Sequence, residues 1–231
     1  YVGRYTIPGS KSGVTSTVNI TCTTARSNAK KNGDKWHLYD FATYCAIIWL
    51  YLIEFADWNC QITIGAGVTK SEYSGPVRNG MTDTMIYHTG NSTAGSIECA
   101  VQYRWVENLL GNVSQWVDGF NADGTTAYYC TDPSKYADDT TTGYTKIGTL
   151  PASGWIKDLT VTDNGLLIPK TSGGSETTYV PDYAYSDPDW RVLCVGGDWN
   201  EGTYAGLLSF NASTSSSGSY SNVSARLLCE P

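Results

Sequence analysis

The chain has 231 residues, a formal net charge of −7 and only 16% charged residues, and it is rich in glycine and tyrosine. A chain of this length buries about 70% of its unfolded surface and needs no disulfide framework, and its composition favours a loop-rich globular fold. Because its charge is negative and Lys30-Lys31 is its only basic cluster, neither nucleic acid nor an anionic membrane is an expected partner.

The seven cysteines are odd in number and no two have the C-x-x-C spacing of a zinc site or a redox dithiol. We therefore expect most of them to be small buried apolar residues. If the protein is secreted, one or two disulfides could form. The longest apolar run, residues 44–55, is about 12 residues long and contains Glu54, so no membrane insertion is expected.

Residues 1–33 are polar, and we interpret them as an N-terminal strand and loop segment that continues from a longer chain. Val14, Val18 and Ile20 indicate a strand, and residues 25–33 a basic loop. Residues 34–60 contain the clearest helical pattern, which either Asp34 or Asp40 could cap. This segment is apolar almost all round, which predicts burial on most sides, and Glu54 then needs a structural partner.

Residues 61–98 alternate turn signals with short apolar pieces and predict loops. The segment 113–118 alternates as a half-buried strand does, and Asp118-Gly119 and Asp123-Gly124 predict turns. Residues 125–189 show no clear hydrophobic period and predict a long insertion, either functional or packed as its own subdomain. A structural calcium ion could bind acidic loop residues, namely Asp132, Asp138, Asp139, Asp187 and Asp189.

The last segment, residues 190–231, returns to a strand pattern. The uninterrupted apolar run from Val192 to Val195 predicts a strand covered on both faces. Gly196-Gly197 then predicts positive φ or a close backbone approach. The aromatic and amide side chains that follow, Trp199, Asn200 and Tyr204, lie on glycine turns, which is typical of binding surfaces and also of plain hairpins.

Three short motifs follow one another in the chain. The first is G-N-V-x-x-W at 111–116, the second G-G-x-W at 196–199, and the third Asn222-Val223-Ser224-Ala225-Arg226-Leu227, with Ser224 where glycine is common. They resemble the formylglycine-generating-enzyme branch of the C-type lectin fold. Their arrangement over residues 34–231 is more similar to the variable proteins of diversity-generating retroelements and to related phage tail receptor-binding proteins.

This resemblance implies an α+β, C-type-lectin-like fold with small twisted antiparallel sheets, one long buried helix and extensive irregular loops. It also implies a variable binding region at about 190–229. The displayed, variable positions would be Asp198, Asn200, Glu201, Thr203, Tyr204, Leu208, Ser209 and Asn211. The fixed frame would be Gly196, Gly197, Trp199, Gly202, Ala205, Gly206, Asn112 and Trp116.

The resemblance further implies a diversified binding domain on a phage tail or bacterial surface, for a protein or glycan receptor on a target cell, and a homotrimer is one assembly to expect. Catalysis is not expected, because His37 and His88 cannot form a histidine metal triad and no nucleophile motif is present. Calcium-dependent sugar lectins use Glu-Pro-Asn or Gln-Pro-Asp loops, which the sequence lacks. The alternatives are a structural tail or surface protein without a diversified site and a formylglycine-generating-type enzyme.

Overall fold

A computed structural model describes residues 1–70, 74–92 and 99–231, within which the chain forms fourteen strands and three α-helices. The helices are α1 (Cys22–Lys30), α2 (Phe41–Phe55) and α3 (Cys60–Thr63). The strands are β1 (Val2–Thr6), β2 (Trp36–Leu38), β3 (Gly90–Asn91), β4 (Val101–Tyr103), β5 (Val106–Glu107), β6 (Ser114–Asp123), β7 (Thr126–Tyr129), β8 (Thr145–Thr149), β9 (Gly154–Val161), β10 (Leu167–Ser172), β11 (Tyr183–Ser186), β12 (Trp190–Val195), β13 (Phe210–Thr214) and β14 (Val223–Cys229).

Most strands belong to one large mixed sheet with the order β1-β14-β6-β12-β13-β11-β9-β10. Strand β2 adds to β14, and the β7–β8 hairpin adds to β6. Two neighbouring pairs of strands are parallel, β14 with β6 and β11 with β13. Strands β3, β4 and β5 form a separate small antiparallel sheet. The fold is therefore sheet-dominated α+β with few helices, but its main sheet is larger than expected and is not purely antiparallel.

Strand β6 is the centre of this sheet and is buried on both faces. One face packs against α2 in the larger hydrophobic core, and the other packs against α1 in a smaller core that contains Trp116. The indole Nε1 of Trp116 donates a hydrogen bond to the Ile20 carbonyl oxygen at 2.9 Å. The expectation of a half-buried strand at 113–118 is wrong, because layers cover both sides and every residue from Ser114 to Ala122 is buried.

A bulge replaces one of the two predicted turns. Asp118 and Gly119 lie inside β6, where Gly119 has a φ of +75° and the pairing with β12 shifts register. The extra residues there turn the Asp118 side chain to Arg26 of α1, whose Nε donates to Asp118 Oδ1 at 2.8 Å. The second predicted turn, at Asp123-Gly124, is confirmed, because Gly124 has a φ of +57° and connects β6 to β7.

Helix α2 is shorter than the predicted 34–60 segment. It begins after Asp40, whose Oδ1 accepts from the Thr43 backbone N–H at 2.8 Å. Its inner face packs into the larger core, but Ile53 on the outer face is 79% exposed. One long, mostly buried helix is therefore not confirmed, since strands supply most of the regular structure. Glu54 does have a structural partner, because its Oε2 accepts from the Tyr103 hydroxyl at 3.0 Å.

Two further segments differ from the sequence-based expectations. The predicted strand around residues 14–20 is absent there, and residues 25–33 lie largely in α1, whose small buried residues Ala25 and Ala29 pack closely on the sheet. Residues 125–189 contain β7 to β11, and these strands join the main sheet instead of a separate subdomain. Their hydrophobic period was weak because several of these strands are only partly buried.

Five cysteines are buried thiols without a disulfide, namely Cys22, Cys45, Cys60, Cys130 and Cys194. Cys45 and Cys60 pack in the larger core and Cys22 and Cys194 in the smaller one, as the sequence predicted for most of the cysteines. Among the helices of the described residues, none combines the length and the apolar character that crossing a bilayer requires.

The buried guanidinium of Arg226 connects the central strands to the N-terminal strand. Burial without a carboxylate partner lowers the pKa of Arg226 to about 10. The guanidinium donates five hydrogen bonds, to Gln115 Oε1 (2.8 Å) and to the backbone oxygens of Gly3 (2.7 Å), Arg4 (2.8 Å), Glu107 (2.6 Å) and Asn108 (3.2 Å). One planar cation thus saturates acceptors from three separate parts of the chain.

We expect Arg226→Lys to destabilise the fold by about 2 kcal/mol or more, because an ammonium with three donors leaves buried acceptors unsatisfied. The measurement is urea unfolding followed by tryptophan fluorescence, with the exposed Arg104→Lys as the matched control. Equal unfolding midpoints for the two variants would contradict a structural role for the five hydrogen bonds.

Candidate functional site

The segment predicted to carry binding residues begins where β12 ends. The strand and the positive φ values after it are confirmed, with +92° at Gly196 and +72° at Gly197. A Cβ at Gly196 would lie 2.6 Å from the Leu109 carbonyl oxygen, and one at Gly197 would lie 2.5 Å from the Ala205 Cβ. Backbone conformation and close approach thus both require glycine at the start of the loop.

Hydrogen bonds to three other segments fix the backbone of residues 196–209, which we call the terminal loop. The Trp199 N–H donates to the Asn112 carbonyl oxygen at 3.1 Å, and the Gly202 N–H donates to the Thr69 carbonyl oxygen at 2.7 Å. The Gln61 amide of α3 donates to the carbonyl oxygens of Gly202 and Ala205 at 3.0 and 2.6 Å. These bonds run through the loop backbone, so they do not depend on the side chains that the loop carries.

A buried carboxylate supports the loop from below. Asp182 Oδ2 accepts from the Leu208 N–H at 2.7 Å, and burial raises the pKa of Asp182 to about 8. A Cβ at Gly206 would overlap the carboxylate oxygens of Asp182, so only glycine fits there. The Asn112 side chain braces the neighbouring segment, because its Oδ1 accepts from the Val77 N–H at 2.8 Å.

The eight predicted displayed residues divide into three groups. Exposed are Asn200, Thr203 and Tyr204; half-buried are Glu201 and Asn211; buried are Asp198, Leu208 and Ser209. The expectation that all eight face solvent is therefore wrong for the last three.

Each of the three buried residues has a structural contact. Asp198 accepts from the Asn200 N–H at 2.9 Å and from the Asn222 side-chain amide at 2.6 Å, which closes the turn. Leu208 packs in the larger core, and the Ser209 carbonyl oxygen accepts from the Gly196 N–H at 3.3 Å. These contacts place the three residues in the frame of the loop instead of on its surface.

Four aromatic rings from three elements form a cluster beside the exposed loop residues. Tyr183 of β11 stacks on Tyr204 with ring centroids 4.4 Å apart, and Trp155 of β9 meets Tyr204 edge-on at 4.8 Å. Tyr185, two residues along β11, lies 4.6 Å from Tyr183. We call these four residues the aromatic cluster. Tyr204 is its most exposed member, at 38%.

Sequence reasoning found only Tyr204 of this cluster, because the other three rings lie in the segment interpreted as irregular. The alternation Tyr183-Ala184-Tyr185 is a strand signal that could have revealed two of them, since alternate residues share one face of a strand. That signal extends over too few residues to distinguish a strand from a loop, and it carries no information on which loop packs beside it.

Two polar residues border the aromatic cluster. The Tyr185 hydroxyl hydrogen-bonds to the Glu201 carboxylate, and burial, together with the nearby Asp198 carboxylate, raises the pKa of Glu201 to about 7. Asn211 of β13 is the register partner of Tyr185 in a parallel pair, so its side chain is on the same face. We call the aromatic cluster with Asn200, Glu201, Thr203 and Asn211 the display surface.

The aspartates considered as calcium ligands are not grouped, and no three of the five come together among the described residues. Each has a partner in the protein, namely Lys135 for Asp132, Arg26 for Asp138, Ser216 for Asp139 and Arg191 for both Asp187 and Asp189. A different group, Cys22, Asp118 and Asp138, does converge, but the Arg26 guanidinium pairs with both of its carboxylates.

We expect Asp182→Asn to change how stability depends on pH. In the folded protein Asp182 stays protonated up to about pH 8, whereas in the unfolded chain an aspartate ionises at about 3.9. The contribution of the protonated Asp182 to the free energy of unfolding is therefore lost as pH rises from about 4 to about 8. Asparagine keeps an acceptor oxygen for Leu208 and does not titrate. Between pH 4 and pH 8 the variant should gain roughly 4 to 5 kcal/mol in unfolding free energy relative to the unchanged protein. Parallel stability curves from urea titrations at several pH values would contradict this assignment.

Comparisons with known proteins give a likeness in structure but none in sequence. No family model matches the chain, and no curated protein sequence matches it. A solved structure, the Major Tropism Determinant U1 Variant, is similar with a TM-score of 0.40 and 13% sequence identity. The similarity covers 91% of this chain and 37% of that one, so this chain spans little more than a third of that protein's length.

Proposed function

We propose that this chain is a ligand-binding domain in which a C-type-lectin-like scaffold holds the display surface toward a receptor. In this proposal it belongs to a phage tail or to a bacterial surface, and a diversity-generating retroelement varies exposed positions of the terminal loop and of β13. The supporting observation is that the backbone of that loop makes the contacts with the fold, while several of its side chains are free to face solvent. Its backbone is tied to Asn112, Thr69 and Gln61, while the side chains of Asn200, Thr203 and Tyr204 are exposed.

This arrangement suits a surface whose side chains can be exchanged. Hydrogen bonds through the loop backbone survive when an exposed side chain changes, so variation there leaves the fold intact. A rigid loop also loses little conformational entropy when it binds, which favours affinity. The proposed variable positions are therefore Asn200, Glu201, Thr203, Tyr204 and Asn211, without the three buried residues of the terminal loop.

The chemistry of the display surface fits recognition of a protein or a glycan. Tyrosine and tryptophan offer a large, rigid contact area, while asparagine and threonine adapt their hydrogen bonds to the partner. The net charge of −7 argues against a polyanionic ligand. A homotrimer would raise the avidity of such a domain for a weakly bound receptor on a target cell.

A catalytic role is less well supported than binding. Burial raises the pKa of Cys22, Cys45, Cys60 and Cys194, which keeps these thiols protonated. A catalytic cysteine needs a lowered pKa and an accessible thiolate, and none of these four residues has either. We therefore propose a binding module instead of a formylglycine-generating-type enzyme; a structural protein without a diversified site is the remaining alternative.

We expect Tyr204→Ala to weaken receptor binding at least tenfold while lowering Tm by only a few degrees, because the ring lies on the surface. Binding is measured with the fluorescently labelled chain on a glycan array and on a panel of intact bacteria. Trp116→Ala, which empties the smaller core, should instead cost about 3–5 kcal/mol.

Tyr87→Ala is the matched control, because Tyr87 is 72% exposed and is not part of the display surface. It should change neither binding nor Tm. If Tyr204→Ala unfolded the protein as Trp116→Ala does, or if it left binding unchanged, the display surface would not be the binding site.

The genomic neighbourhood tests diversification separately from binding. We expect a near-copy of the codons for residues 190–229 close to the gene, differing at adenines, beside a reverse-transcriptase gene. A gene without such a repeat would leave a receptor-binding domain with a fixed surface.

A further inference from the structure

A second polar site lies outside the display surface, around one of the two histidines of the chain. His37 belongs to β2 and is only 4% exposed. Within the described residues its Nε2 has no hydrogen-bond partner, and the charged group nearest to it is Glu230, whose Oε1 lies 3.6 Å away. Residues 37 and 230 are far apart in the sequence, and the pairing of β2 with β14 brings them together.

The other ring nitrogen determines the state of the imidazole. Nδ1 lies 2.9 Å from the Leu38 carbonyl oxygen, which can only accept, so Nδ1 carries the proton. In the neutral ring, Nε2 is then an acceptor that lies 3.6 Å from the Glu230 carboxylate oxygen. Two acceptors that face each other at 3.6 Å repel, and a shared cation removes that repulsion.

The geometry matches a metal ion better than a hydrogen bond. A separation of 3.6 Å is too long for an N–H···O bond, whose usual range ends at about 3.2 Å. In tetrahedral zinc sites the Zn–N and Zn–O bonds are about 2.0–2.2 Å, which puts two ligand atoms about 3.4 Å apart. Metal-binding histidines commonly donate their other N–H to a backbone carbonyl, as Nδ1 of His37 does.

A cavity of about 380 Å³ gives an ion access to both groups. His37 and Glu230 line it together with two further carboxylates, Asp34 and Asp132, and with a single ammonium, that of Lys30. Because Lys135 pairs with Asp132, the carboxylates of Asp34 and Glu230 face the one ammonium of Lys30, and the remaining negative charge favours a cation. The Glu230 side chain is 52% exposed, so it can move the short distance that ligation requires.

We propose that His37 Nε2 and the Glu230 carboxylate bind one divalent transition metal ion, best fitted by zinc, with water from the cavity completing its coordination. The site is open because the described part of the chain supplies two ligand atoms to it. The histidine contributes a fixed, buried donor, and the glutamate contributes the charge.

The test is calorimetric titration of zinc chloride into the untagged chain, followed by nitrogen-15 NMR of the imidazole rings. The chain contains only His37 and His88, so the two rings can be assigned separately. We expect one zinc ion per chain, a shift of the His37 Nε2 resonance on binding, and no change at His88.

Glu230→Gln keeps the shape of the side chain at an exposed position and should weaken zinc binding at least tenfold without altering Tm. Two controls should bind as tightly as the unchanged protein. Asp163→Asn removes an exposed carboxylate elsewhere. Cys229→Ser removes a thiol whose register partner is Trp36, so it points away from the face that His37 shares with Leu228.

Three results would overturn the proposal. The first is that zinc leaves the His37 resonances unchanged while both ring nitrogens are protonated, in which case a shared proton and not a metal ion joins the two groups. The second is that Glu230→Gln binds zinc as tightly as the unchanged protein. The third is that Cys229→Ser abolishes binding, which would assign the zinc to a thiolate.

Discussion

The structure depends on how one buried cation satisfies the backbone around it. Arg226 occupies the interior beside β6, where its guanidinium meets Gln115 and four carbonyl oxygens of β1 and residues 107–108. These contacts hold β14 parallel to β6 and join the N-terminal strand to the same assembly. The Glu107 carboxylate does not pair with this cation and instead accepts from the backbone N–H groups of Gly80 and Thr82. One arginine thus orders the backbone, and one glutamate orders the long loop beside it.

The same region positions the terminal loop. Residues 107 and 108 contact Arg226, and four residues later Asn112 receives the Trp199 N–H of the loop. The loop is consequently anchored to the segment that also contacts Arg226, while Asp182 packs closely against Gly206 of the loop. Its exposed side chains make few of these anchoring contacts. A frame of backbone hydrogen bonds and close glycine contacts therefore holds the loop in place through its backbone.

Polar groups that are distant in sequence acquire their roles from strand pairing. Tyr185 meets Asn211 because β11 and β13 are parallel and in register, and the rings of Trp155 and Tyr183 come together across β9 and β11. His37 lies near Glu230 because β2 pairs with β14, the strand that ends just before Glu230. The residues of neither site have the short, regular sequence spacing by which a motif is recognised. Both sites arise from the order of strands in one mixed sheet.

The sequence by itself determined the local features: the buried strand 192–195, the glycine pair after it, a helix within 34–60 and the turn at 123–124, while the structure chose Asp40 over Asp34 as the cap of that helix. Each depends on residues within a few positions of one another, where periodicity and φ preferences act directly. Tertiary structure decided the rest. Leu208, Ser209 and Asp198 are buried because the core and Asn222 reach them, and β6 is covered on both faces because α1 packs where a loop was predicted. Burial of a particular side chain is a property of what packs on it, and that partner can lie a hundred residues away.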